Sequence, residues 1–309
     1  LTKEEFDYLD SIMEITIEGN FLDEASQLKT GKNILYFKKE LDISDLDTRW
    51  TTIKEKFKAA RDKREMPGLD NKILTDWNGL MIVALAKLSK VSERDDFLKA
   101  AVSCWQGICQ SNKTENQLLH CTSGQSKIVA NLDDAAFFLW GTFELYQVTL
   151  DEKYLLDCID QAGELIGSFH DENTGVYHFT SGANNDLIVR TLEIHDGAIP
   201  SGFGVSIYCL LKLGYLVDQQ DWANKSLQAL TKIKDDLEKV PWGHCMSLIA
   251  LMLEKRGMGQ LILTSEKERY LQVLSQGFYP SLTIAARSTG DSLANVLEYT
   301  VDMSLTENL

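Results

Sequence analysis

Lys72-Ile-Leu-Thr-Asp76-Trp77-Asn78-Gly79-Leu-Met-Ile-Val-Ala-Leu-Ala86 is the stretch from which the fold is read. A polar, aromatic-bearing corner opens a run that is apolar or small from Leu80 to Leu88, which predicts a helix buried on most of its faces. Asp76 stands where an N-cap belongs, with a carboxylate able to accept the orphan N–H groups of a first turn. Aligned on the end of this helix, Leu88, Val91 and Phe97 recur as Leu145, Val148 and Tyr154, and again as Leu213, Leu216 and Trp222. The copies lie 57 and 68 residues apart. Each copy reads as an apolar helix, a tight polar turn and a more polar helix opened by an aromatic: a repeated αα-hairpin.

The connections between hairpins, roughly 111–130 and 170–199, are long and rich in Gly, Ser, Asn and Thr. Short turns therefore alternate with long loops, and every long loop returns to the same rim. That pattern predicts a mainly α fold, an (α/α) toroid whose inner helices are the apolar ones. Short β-prone pieces sit in the long loops, Gly175–Phe179 and Leu187–Arg190 among them. Upstream, a short amphipathic helix to about Met13 precedes extended segments at 15–21 and 31–36. A helix follows from about Ile43 to Arg64, capped by Ser44 or Asp45. A further helix is expected from Pro241 to about Arg256; beyond it, strands at 261–264 and 282–285 flank a short helix. The expected division is a toroid domain over 1–258 and a small α/β appendage over 259–309.

A formal charge of −15 over 309 residues opposes binding to nucleic acid or anionic membrane. No spanning segment or signal peptide is visible, and six cysteines without a C-x-x-C pair read as reduced core thiols, which makes a cytoplasmic setting the expectation. Five histidines give no metal-ligand spacing, and no cofactor motif is present, so neither a metal nor a cofactor is expected.

The repeat places acids at the openings of three inner helices: Asp76, Asp133-Asp134 and Asp196. Singly, each reads as a helix-terminus carboxylate favoured by the macrodipole. Together around one opening, Asp76, Asp134 and Asp196 are the candidate acid–base groups. Trp77, Tyr177 and Phe203, with Trp140 and Trp242 behind them, are the candidate aromatic surface for a sugar-like ligand. Asn78, Asp133, Arg190, His195 and Ser201 complete the candidate binding set, and His178 and His244 are further acid–base candidates.

Three blocks carry a resemblance: Arg64-Glu-Met-Pro67-Gly-Leu-Asp70-Asn71-Lys72 running into the opening stretch, Asn131-Leu-Asp133-Asp134-Ala-Ala-Phe, and Asp196-Gly-Ala-Ile-Pro200-Ser201-Gly202. Together they resemble the YyaL-like, spermatogenesis-associated thioredoxin-domain family, over most of the chain. Gly19-Asn20-Phe21 and Gly31-Lys32-Asn33-Ile34-Leu35 fit the same family. The resemblance implies a six-hairpin toroid similar to N-acylglucosamine 2-epimerases and six-hairpin glycosidases, with its earliest hairpins and a thioredoxin-like domain outside this chain. Two positions depart from the family pattern: Asn71 where an Asp is usual, and Phe203 where an Asn is usual. Two functions follow as expectations. One is a sugar isomerase, epimerase or glycosidase with a carbohydrate ligand at the rim; the other is a non-catalytic module that works with a thioredoxin-like domain.

Overall fold

The computed structural model describes the chain except residues 41–45, 47, 115–116, 124–125, 184–187, 265–266, 288–295, 298–299 and 301–309. The chain forms two compact units, Leu1–Asn71 and Lys72–Leu309. In the first, α1 (Lys3–Ile12) and α2 (Thr48–Arg61) bury Leu9, Met13 and Ile53 between them. The expected caps at Ser44 and Asp45 lie outside the described residues. Two asparagines join the extended segments. Asn20 exchanges hydrogen bonds with both the N–H and the C=O of Ile34, and Asn33 does the same with Thr16.

The second unit is mainly α, an arc of (α/α) hairpins of the toroid type. Its pairs are α3 (Thr75–Ser92) with α4 (Asp95–Ser111), α5 (Leu132–Thr149) with α6 (Glu152–Phe169), and α7 (Gly202–Leu216) with α8 (Gln220–Lys232). After a short α9 (Lys234–Lys239) and a 3₁₀ turn at Pro241–Gly243, α10 (Cys245–Arg256) adds a fourth inner helix. The inner helices pack in sequence, α3 on α5, α5 on α7 and α7 on α10, while α4, α6 and α8 back their own partners. The long loops carry two hairpins, β1 (Leu119–Ser123) with β2 (Ser126–Val129) and β3 (His170–Asp171) with β4 (Val176–Tyr177).

The aligned turn position of the repeat has one conformation throughout. Glu93, Leu150 and Asp218 each follow the conserved-spacing leucine by five residues, and all three are left-handed, with φ of 54, 52 and 53°. A left-handed residue reverses the chain at a helix C-terminus, so the spacing seen in the sequence reflects one turn geometry used three times.

α5 and α7 bury nearly every side chain because each has an inner neighbour on both flanks and an outer helix behind. Within this unit α3 has an inner neighbour on one flank only, and Met81, Leu88 and Val91 are exposed. The expectation that α3 is buried on most faces is corrected accordingly: its apolar composition exceeds its burial.

The terminal strands pack on the helices. β5 (Gly259–Leu263) and β6 (Leu282–Ala286) pair in parallel across α11 (Lys267–Ser275). Gln147 of α5 binds both the N–H and the C=O of Ile284 at 2.9 Å, and the Tyr146 hydroxyl accepts from the Ala286 N–H. Those bonds pack the terminal segment on the helical unit, within the compact unit Lys72–Leu309.

One close approach governs the α3–α5 crossing. A Cβ on Gly79 would stand 2.6–2.8 Å from backbone atoms of Phe137 and Phe138, and a Cβ on Gly141 would stand 3.0 Å from the Gly79 carbonyl oxygen. Backbone cannot yield as a flexible side chain does, so the two helices meet through paired glycines. Gly79→Ala is expected to cost about 1–3 kcal/mol by overpacking, read as a lower urea midpoint. An unchanged midpoint would show that the crossing tolerates a wider spacing.

Candidate functional site

The first turn of a helix leaves N–H groups without intrahelical partners. Here, carboxylates from neighbouring hairpins take them. Asp134, at the third position of α5, accepts the Asp76 N–H of α3 at 3.0 Å on Oδ1, while its Oδ2 accepts the Asn131 N–H at 2.9 Å. Asn131 is the N-cap of α5 and returns the bond to the Asp134 N–H, closing a capping box. Asp133 accepts the Gly202 N–H of α7 at 2.9 Å. Asp196 accepts the Ser201 N–H and hydroxyl at 2.8 Å on Oδ1, and the Met246 N–H of α10 at 2.7 Å on Oδ2. Three carboxylates thus tie together the openings of four inner helices, and these openings share one rim.

Asp76 is not the N-cap that the sequence suggests. The helix begins at Thr75 behind Leu74, and Asp76 accepts only the N–H of Trp77 at 2.8 Å. Thr75 anchors this corner instead: its hydroxyl donates to the Leu119 carbonyl at 2.6 Å and accepts from Asn112 at 2.9 Å. That link carries β1 across the mouth and brings His120 to Asp134, with Nδ1 at 2.9 and 3.1 Å from the two carboxylate oxygens. His120 is missing from the sequence-derived candidates, because nothing in the spacing of 76, 120 and 134 shows that a loop strand crosses there.

Asp76, His120 and Asp134 each offer a donor atom within 4.8 Å of the others. Among the described residues, no Lys or Arg pairs with Asp76, Asp133 or Asp134. The electrostatic consequence falls on Asp133. Burial, followed by the like charges of Glu193, Asp134 and Asp76, pushes its carboxyl up to about 6 against the lowering effect of the Gly202 N–H. Burial also raises Asp134, opposed by the Asn131 N–H and by His120.

The other predicted site residues divide in two. Trp77 stands 63% exposed beside Asp76, and His195 is exposed with its ring edge-on to His244 at 5.4 Å. By contrast, Tyr177 and Phe203 are fully buried and packed edge-to-face, with ring centres 6.4 Å apart. A rim position does not oblige a side chain to face the opening, and both rings fill core volume between α7 and the β3–β4 hairpin. Arg190 is likewise structural: its guanidinium donates to the carbonyls of Ser168, Phe169 and Thr180 and closes that loop. Asn78 donates to Leu74 and accepts from the Cys104 thiol, and Ser201 is the N-cap of α7. His178 lies 3.6 Å from Asp171, and His244 bonds the Ile194 carbonyl. A cleft of about 200 Å³ opens between β1–β2, α5 and α6, but none of the four aspartates forms its wall.

No family model matches the chain. Over 269 residues, 82% of its length, it is 24% identical to the uncharacterized protein B0495.5 of Caenorhabditis elegans. Over 241 residues, 74% of its length, it is 26% identical to human spermatogenesis-associated protein 20. The chain spans about a third of these relatives, 37% and 30% of their lengths. Among solved structures it is similar to a GH76 α-mannanase of Bacteroides thetaiotaomicron, with a TM-score of 0.45 and 14% identity over 56% of this chain and 46% of that one. A sugar epimerase from a ruminal bacterium gives 0.44 and 16% over 54% and 46%. A D-mannose isomerase gives 0.42 and 12% over 53% and 42%.

Asp196 spends both oxygens on two helices, so its removal tests the rim directly. Asp196→Ala is expected to lose roughly 2 kcal/mol or more, the sum of two caps. Asp196→Asn keeps one acceptor and should lose less. Equal urea midpoints for wild type and Asp196→Ala would show that the α7–α10 link contributes nothing.

Proposed function

We propose that the rim at the inner-helix openings binds a sugar or sugar derivative and acts on it by proton transfer, as an isomerase, epimerase or glycoside hydrolase does. The observation that supports this reading is the convergence of Asp76, Asp133, Asp134 and His120 at the helix openings, with the exposed Trp77 next in the chain to Asp76. Sugars present hydroxyls at their edges and C–H groups on their faces; carboxylates and an imidazole suit the first, an uncovered indole the second. The roles differ by exposure. Asp134, fully buried and holding three N–H groups, is a positioning residue for His120. His120 and Asp133 are the groups that reach a ligand, and Asp76 lies beneath them. Asp196 is assigned to the scaffold. Similarity to proteins named as a mannanase, a sugar epimerase and a mannose isomerase belongs to the same reading.

A second reading rests on a different observation. Met81, Leu88 and Val91 form an exposed apolar stripe along α3, which suits a module that docks a thioredoxin-like domain or another protein. Binding that is lost in Met81→Glu/Leu88→Glu but indifferent to Asp133→Asn would favour it.

The sugar reading is tested by calorimetric titration of the whole polypeptide with a panel of mono- and disaccharides. Millimolar or tighter binding is expected for at least one sugar, weakened about tenfold, or 1.4 kcal/mol, in Trp77→Ala without a change in thermal unfolding. No heat of binding at millimolar sugar removes this reading.

A further inference from the structure

Among the described residues, no Lys or Arg pairs with Asp76 or Asp134 of the same cluster. Asp134 is fully buried and Asp76 is 8% exposed, and buried carboxylates are costly unless a positive group pairs with them. Among the described residues, the basic side chain that pairs with this cluster is the imidazole of His120. A second observation concerns Asp76 alone. One of its oxygens accepts the N–H of the next residue, and the other has no hydrogen-bond partner among the described residues, although the residue is more than nine-tenths buried and its carboxylate lies in the cluster.

We infer that Asp76, His120 and Asp134 form a binding site for one divalent transition-metal ion of the Zn²⁺ or Mn²⁺ type. The donor set is one imidazole nitrogen and two carboxylate oxygens, borderline ligands that suit Zn²⁺ or Mn²⁺ better than the all-oxygen shells of Ca²⁺. Bonds of about 2.0–2.2 Å place neighbouring donors on one ion roughly 3–3.6 Å apart; the donors here, all within 4.8 Å of one another, would close by at most about 1–2 Å. The donors come from three separate elements, α3, β1 and α5, so the ion would tie the β1 strand to two helix openings.

The outer hydrogen bonds are those a metal ligand requires. Asp134 is already oriented by the Asp76 and Asn131 N–H groups, which need not move. On ion binding, the His120–Asp134 hydrogen bond is replaced by shared coordination, and the imidazole binds as the neutral ring. Two carboxylates and a dication then leave the cluster without net charge. Three protein ligands leave coordination positions open on the side of the partly exposed His120 ring, where a water or a ligand hydroxyl fits.

Ion binding is measurable without any sugar, so this inference stands or falls apart from the proposed function. The whole polypeptide is stripped with a chelator, dialysed separately against micromolar Zn²⁺ and Mn²⁺, and measured for bound metal by mass spectrometry and for thermal unfolding. About one ion per chain is expected, with a rise in Tm of several degrees at saturating ion. Affinity should fall at least tenfold in Asp76→Asn, which keeps the shape and the acceptor for the Trp77 N–H, and in His120→Ala. Asp96→Asn, on the exposed face of α4, should bind as wild type does. Substoichiometric metal in the wild type overturns the site, as does undiminished uptake in both ligand variants. Should His120→Ala fold poorly, Asp76→Asn and the wild-type stoichiometry decide the matter.

Discussion

Helix openings that meet at one rim bring together N–H groups that no helix can satisfy by itself, and the arc depends on how these are paired. Four inner helices begin side by side, and their partial positive ends would repel one another if left bare. The chain answers with carboxylates placed one hairpin away: Asp134 for α3, Asp133 for α7 and Asp196 for α10. Each bond is between a charged acceptor and a backbone donor, the stronger class of hydrogen bond. Because donor and acceptor lie 58, 69 and 50 residues apart, these bonds fix the register between hairpins as well as stabilising individual helices.

That arrangement also explains why glycine lies where it does. For Asp134 to reach the N–H of Asp76, α3 and α5 must approach closely, and Gly79 against Gly141 provides the approach one turn and two turns further along. Gly202 has the same relation to Asp133: a side chain there would collide with the carboxylate that caps its N–H. Close backbone packing and carboxylate capping are therefore one geometric requirement met at two levels, the crossing of the helices and the pairing of their ends.

The hairpin repeat was legible because it is local. Leu88, Leu145 and Leu213 each stand five residues before a left-handed turn, and chain reversal at a fixed distance shows as fixed spacing. The grouping of Asp76 with Asp134 followed from that reversal. The direction in which each side chain points did not. Phe203 and Tyr177 sit in loops and helix starts that look like rim, yet both rings turn into the core, and Arg190 binds carbonyls rather than facing solvent. His120 was illegible for a different reason: its place depends on Thr75 holding the Leu119 carbonyl, a tertiary bond spanning 44 residues with no trace in the local pattern. Nor does an exposed stripe on α3 differ in composition from a buried one; only the absence of an inner neighbour on that flank within its unit separates the two.

Capping and chemistry compete for the same carboxylates, and the competition is settled by what remains after the backbone is served. Asp196 has nothing left: one oxygen accepts two donors from Ser201 and the other accepts Met246. Asp134 accepts a backbone N–H on each oxygen and still faces His120, so capping leaves it in place to orient that ring. Asp133 gives one oxygen to Gly202 and keeps the other, and burial, with the acids around it adding to the effect, pushes its carboxyl up to about 6. Asp76 serves the adjacent N–H on one oxygen and keeps the other, with the residue 8% exposed. A scaffold that needed acids only as caps would have no reason to crowd three of them where their charges oppose one another. Asp196 shows that a single aspartate can cap two helices at once. The surplus at Asp76 and Asp133 therefore marks this corner of the rim, rather than the α7–α10 corner, as the place where the fold keeps unspent chemistry.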